Sequence, residues 1–137
     1  MVHETTIRTR YSETDQMSII YHANYFTWFE IGRTDFLRKI GITYKNLEYQ
    51  NVLLPVIDVG CKYFIAAKYD DELIIKTKIT TLKGARIQFE YEIIRKTDNK
   101  LLAQGYTKHG FVDKALKPVN FKKKFSTVWN MLSQNLE

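Results

Sequence analysis

The sequence predicts an α+β domain in which a curved sheet of about five mainly antiparallel strands wraps one long helix. Three observations carry that expectation. Residues from about His22 to Ile40 read as one amphipathic helix, with Tyr21, Tyr25, Phe29, Gly32, Phe36 and Ile40 on a wide apolar arc flanked by Trp28 and Leu37. Almost everything after it has strand period, most cleanly Ile87, Phe89, Tyr91 and Ile93 against Gln88, Glu90 and Glu92. The elements are also segregated, with strands following the helix in a run rather than alternating with helices.

In chain order, residues 3–11 alternate Ile7, Thr9 and Tyr11 against Arg8 and Arg10 and read as a first strand with one polar face. A polar turn carrying Asp15 leads into the helix. Arg38 and Lys39 in its last turn and Gly41 just beyond form a stop signal. Residues 43–50 suit one or two helical turns. Residues 52–68 are strand-like, with Ile57, Val59, Cys61, Tyr63 and Ile65 on one parity and Gly60 marking a bulge or bend. Tyr69 to Glu72 make a solvated polar turn. Strands at 73–82 and 86–95 flank a tight hairpin at Lys83-Gly84. A last strand spans 101–112, Pro118 ends it, and Phe121, Phe125, Val128 and Leu132 space a C-terminal amphipathic helix. A sheet of this kind has two open edges, which favour association into at least a dimer.

The 137 residues suit one domain, residues 1–137, and the 45% hydrophobic content is that of a folded protein. No apolar run reaches the roughly 20 residues that span a bilayer. The N-terminus lacks an apolar leader core, so the cytoplasm is the expected location. The single cysteine, Cys61, forms no internal disulfide and reads as a buried small hydrophobe. His3, His22 and His109 share no metal-ligand spacing, so no metal is expected. The net charge of +6 suits an anionic partner without choosing between nucleic acid and a phosphorylated small molecule.

Most candidate residues have a plain structural reading. Glu30 and Arg33, three apart on the helix, read as a surface pair. Asp15 differs because it precedes His22, where the helix begins. First-turn amides of a helix lack partners and carry partial positive charge. A carbonyl placed there is polarised, and an adjacent carboxylate supplies a nucleophile or a base for water. A carboxylate beside a helix N-terminus is a minimal site for acyl hydrolysis, although an isolated Asp before a helix is more often a cap.

The run YSETDQMSIIYHANYF resembles the signature of hot-dog fold acyl-CoA thioesterases of the 4-hydroxybenzoyl-CoA thioesterase-like family, in which T-D-x-x-G-[IV]-[IV]-[YF]-H-x-x-Y leads into the central helix. The Tyr69–Glu72 turn and Arg86 after Gly84 resemble that family too. The resemblance implies the hot-dog fold and thioester hydrolysis, with Asp15 as the carboxylate and the His22 backbone amide as oxyanion donor. It places Tyr21, Tyr25 and Trp28 near the acyl pocket. The positive balance suits the coenzyme A phosphates, with Lys83 and Arg86 near one hairpin and Lys108, Lys114, Lys117 and Lys122 to Lys124 in the tail as candidates, each equally well read as solvated surface. Coenzyme A is then part of the substrate and no separate cofactor is implied. The partners expected are an acyl-CoA or acyl-carrier-protein thioester and further copies of the chain, as a dimer or dimer of dimers. Some hot-dog thioesterases carry the carboxylate on the helix, which would point to Glu30. Ser18 stands where the family usually has Gly, and a family-shaped turn would hold it at positive φ at a cost of about 1 kcal/mol.

Two other readings stay open on sequence. A hot-dog hydratase or dehydratase would pair His22 with Asp15. A nucleic-acid-binding module would use the basic tail, Lys122 to Lys124, but no recognition motif accompanies it.

Overall fold

The computed structural model describes all 137 residues. Its first strand, β1 (His3–Arg8), is followed by a single 3₁₀ turn at Tyr11–Glu13 and the central helix α1 (Asn24–Lys39). A short helix α2 (Tyr44–Tyr49) leads to β2 (Val56–Tyr63), β3 (Glu72–Lys83), β4 (Arg86–Arg95) and β5 (Lys100–Gly110). Two short helices, α3 (Phe121–Lys124) and α4 (Ser126–Gln134), close the chain. All strand pairings are antiparallel and the sheet order is β1-β3-β4-β5-β2. This is the expected α+β hot-dog architecture, with α1 lying across the concave face.

Helix α1 begins two residues later than its apolar spacing suggests. His22 and Ala23 form a turn in which the Asn24 amide reaches the Tyr21 carbonyl at 3.0 Å. At the other end the Gly41 amide bonds the Arg38 carbonyl and the Ile42 amide bonds that of Leu37, at 3.0 and 2.8 Å. Gly41 has φ +93°, so this is a Schellman stop, and buried Leu37 and Ile42 supply its apolar contact. The helix packs close on β3 because Gly32 has no side chain. A Cβ there would stand 2.6 Å from the Thr77 hydroxyl and 2.8 Å from Ile75 Cγ2. Behind it, the Phe29 ring stacks on Tyr91 at 4.4 Å, nearly parallel.

Several local expectations change. The β2 strand does not lie beside β3, its successor in sequence. It pairs with β5 at the far edge, and residues 64–71 carry the chain back across the N-terminal end of α1. The Ile20 amide bonds the Ala67 carbonyl on the way, at 2.9 Å. The bulge in β2 falls between Val56 and Asp58, while Gly60 stays in register beneath the Tyr106 ring. Because β2 is an edge strand, Cys61 is only half-buried rather than sealed in the core.

Asp71 and Glu72 are not a free solvated turn. They form ion pairs with Arg95 at 3.7 Å and with Lys96 and Arg8 at 2.6 and 2.7 Å. Arg33 makes no pair with Glu30; it turns inward and donates to the Tyr44 hydroxyl at 3.0 Å. The C-terminal helix is broken at Phe125, which leaves helical geometry at φ −132° and ψ 58°. No helix is long and apolar enough to cross a membrane.

Candidate active site

The site grows from the turn at Asp15. Thr14 and Ile20 face each other in an antiparallel bridge. Between them the Asp15 amide donates to the Ile19 carbonyl at 2.9 Å and the Ser18 amide to the Asp15 carbonyl at 3.0 Å. This is a three-residue hairpin loop, a type I turn closed by a residue in the left-handed region. Ser18 is that residue, at φ 63°. The loop geometry therefore explains why glycine suits the position and what a serine there must tolerate.

One Asp15 carboxylate oxygen, Oδ1, accepts the Met17 amide at 2.8 Å, an Asx turn that holds the side chain against the loop. Asp15 and His22 share the wall of a cleft of about 230 Å³ whose remaining lining is mostly apolar, including Ile20, Tyr25, Tyr63 and Ile65. At the start of α1 the Tyr21 amide bonds the Glu13 carbonyl at 2.9 Å, and the amides of residues 24 to 26 are also paired. The His22 and Ala23 amides have no protein acceptor. An acidic residue and a residue with an unpaired amide just ahead of α1 thus line one apolar cleft, the combination that stabilising an oxyanion next to a nucleophile or base calls for.

The other candidates divide. Tyr21 is 47% exposed and its ring lies against that of His22 at 4.6 Å. Tyr25 lines the cleft floor, and its hydroxyl accepts the Ala67 amide at 3.2 Å. Burial pushes the Tyr25 phenol up, against the pull of that amide. Trp28 is fully buried behind the cleft rather than in it, its indole N–H donating to Glu13 Oε2 at 2.9 Å. Arg86 lies opposite Gly110, whereas the cleft residue Tyr63 lies opposite Ala103. Within one chain the two are therefore on the order of 20 Å apart along the sheet. Glu30 is exposed on the outer side of α1, beside Thr27 and Thr34. The His22 ring packs on Tyr21 and Tyr63 and makes no hydrogen bond to Asp15, so the acid–imidazole pair of a hydratase is not formed.

Two residues come to the site that the sequence did not single out. Glu13 is only 5% exposed, and its carboxylate accepts the Arg10 amide at 2.7 Å as well as the Trp28 indole. Its own carbonyl also takes the Asn24 side chain at 2.8 Å, so Glu13 ties the Asp15 turn to the first turn of α1. Tyr63, at the end of β2, donates its hydroxyl to the His22 carbonyl at 2.9 Å. Burial, with the Cys61 thiol beside it, pushes the Tyr63 phenol up and keeps it a donor. Strand parity grouped Tyr63 with Ile57, Val59, Cys61 and Ile65 but carried no hint of its partner.

A larger depression, about 660 Å³, lies on the outer sheet face. Its walls are cross-strand pairs such as Lys76 opposite Glu92 and Lys78 opposite Glu90. Opposite charges set across neighbouring strands in this way are the pattern of a solvated sheet face.

The chain matches the family model of the thioesterase-like superfamily over residues 9–129. It is 36% identical over 125 residues to YneP of Bacillus subtilis, covering 90% of each chain. It is 35% identical over 128 residues to the acyl-CoA thioesterase YbgC of Haemophilus influenzae, covering 92% of this chain and 93% of that one. Among solved structures it resembles a DHNA-CoA thioesterase from Staphylococcus aureus with a TM-score of 0.93 at 31% identity, covering 97% and 89% of the two chains.

Proposed function

Because this chain belongs to the thioesterase-like superfamily and is a thioester hydrolase of hot-dog fold, we propose that it hydrolyses an acyl-CoA to the free acid and coenzyme A through Asp15 and the His22 amide. The observation that carries this reading is the shared cleft, lined by Asp15 and by His22, whose amide has no protein acceptor, among mostly apolar walls. The acyl group lies along Ile20, Tyr25 and Ile65. Its thioester carbonyl turns toward the His22 amide, and Asp15 attacks it or takes the proton of an attacking water. A thiol leaves with a pKa of about 8.5, so the departing sulfur needs little protonation and one carboxylate with one oxyanion donor suffices. The positive balance of the chain suits the phosphates of coenzyme A or an acidic acyl carrier protein.

The reading includes a homodimer, in the cytoplasm. Edge strand β2 and the segment after it expose Ile57, Val59, Phe64 and Ile65, at 51%, 42%, 52% and 38%. Unpaired strand edges beside such apolar surface favour a second copy. Light scattering at micromolar concentration should give at least twice the chain mass, and a monomer would remove this part.

The test of function is a panel of saturated, aromatic and 2-enoyl acyl-CoAs followed by thiol release. Release of free thiol from at least one is expected. Loss of enoyl absorbance with no thiol would instead indicate hydration.

A further inference from the structure

Every backbone polar group of Tyr21 and His22 is engaged except one. The Tyr21 amide donates to the Glu13 carbonyl at 2.9 Å, and the Tyr21 carbonyl accepts the Asn24 amide at 3.0 Å. The His22 carbonyl accepts the Tyr25 amide at a long 3.3 Å and the Tyr63 hydroxyl at 2.9 Å. The group left over is the His22 N–H. A free amide bracketed by fixed neighbours is the arrangement a preorganised oxyanion donor needs, since its direction must not change during reaction.

Tyr63 supplies the only side-chain bond on this bracket's helix side, and it comes from a strand 41 residues away. Its ring is set edge-on against Tyr25 at 4.9 Å and against His22 at 6.3 Å, so the hydroxyl is aimed by packing on both sides. Without that hydroxyl the His22–Ala23 peptide keeps only the 3.3 Å bond from Tyr25, while the peptide carrying the His22 N–H stays tied through the Tyr21 carbonyl to the Asn24 amide, so the torsion joining the two peptides at His22 is what is released. We infer that Tyr63 is a positioning residue for hydrolysis, clamping the His22 carbonyl so that the His22–Ala23 peptide cannot rotate and pull the adjoining peptide, which carries the His22 N–H, out of register with Asp15. This rests on the reading of Asp15 and His22 given above. Tyr63 acts through the backbone and takes no part in proton transfer.

The test replaces Tyr63 with Phe and, separately, with p-aminophenylalanine, whose N–H can donate to the same carbonyl. Tyr63→Phe should lower kcat about tenfold, a fraction of what a full 1 Å misplacement costs, with KM within about twofold. The amino variant should recover most of that loss, and the pH profile of kcat should keep its shape in both. A residue that merely supports the fold would move the melting temperature without this recovery. Unchanged kcat in Tyr63→Phe, a rise in KM alone, or an amino variant as slow as Phe would overturn the assignment. If Tyr63→Phe does not fold, the amino variant against wild type decides, with less than a third of wild-type kcat counting against the clamp. Failure of the underlying reading looks different: wild type releases no thiol, or Asp15→Asn stays active, whatever position 63 holds.

Discussion

Two polar clusters sit within this fold, and they are finished to different degrees. Between α1 and the sheet, the Arg33 guanidinium donates to the Tyr44 hydroxyl at 3.0 Å and lies near that of buried Tyr91. Tyr91 is 2.6 Å from the Thr107 hydroxyl, which is 2.8 Å from His109 Nε2, and His109 Nδ1 is 3.1 Å from the Leu54 carbonyl. The proton directions follow from the carbonyl end. A carbonyl only accepts, so Nδ1 carries the hydrogen and Nε2 must accept from Thr107, which in turn accepts from Tyr91. Each member of the chain has its partner. At the cleft rim, by contrast, one Asp15 oxygen is held by Met17 while the neighbouring His22 amide has no acceptor. Completing a buried network contributes stability and rigidity, whereas leaving an acid and a donor incomplete at a solvent-reachable rim leaves them free for substrate.

The sharpest way to break this contrast is Asp15→Asn. Removing a positioned acid–base group should lower the thioesterase rate by on the order of 10²–10⁴ while circular dichroism and melting stay near wild type. Glu30→Gln, on the outer face of the helix, should keep its activity. The opposite result, with Asp15→Asn active and Glu30→Gln inactive, would move the chemistry to the helix.

The interior cluster should answer to acid instead. Burial, reinforced by the charge of Arg33, pulls His109 down to about 4, against a smaller upward pull from the Leu54 carbonyl. An unfolded histidine titrates near 6.5, so between these values the unfolded chain holds more protons and stability rises with pH. The contribution is complete above about pH 7 and is lost as pH falls toward 4, by up to roughly 3 kcal/mol. Denaturant midpoints measured from pH 7.5 to 4.5 should show the loss, and His109→Gln should flatten it. A wild-type curve already flat from pH 7 to 5 would mean the chain is not sealed.

The smallest effect is expected at Ser18. Its φ of 63° is the region glycine enters freely, and its hydroxyl makes no hydrogen bond. Ser18→Gly should stabilise by up to about 1 kcal/mol, less the entropy glycine adds to the unfolded chain, with turnover kept. Ser18→Ala gains nothing by this route, because the Cβ remains. If thermal melts and thiol-release assays find Ser18→Gly destabilised and slower, the loop needs more than a left-handed residue there.

Read from sequence, the turn at Asp15 and the helix start near His22 were legible because their relation is local. A tight turn and a helix start lie within one short segment, and the apolar arc and the stop at Gly41 reveal the helix itself. Glu13 was not legible, since a carboxylate next to a turn ordinarily faces water. Its burial depends on Trp28, which a helical wheel places only at the edge of the apolar arc. Arg33 misled for the same reason: spacing offered Glu30 as a partner, while the core offered Tyr44 and Tyr91.

The sequence by itself determined the periodicities, hence the central helix and the alternating buried face of strands such as β3 and β4. Those properties follow from sterics and burial among near neighbours. Only the tertiary structure decided that β2 pairs with β5 and that the chain then crosses the start of α1. That pairing brings Tyr63 to the His22 carbonyl and Leu54 to His109, at the end of the hydrogen-bonded chain through Thr107 and Tyr91. Each of these contacts joins residues from separate elements and depends on the register of the whole sheet, which no local pattern encodes.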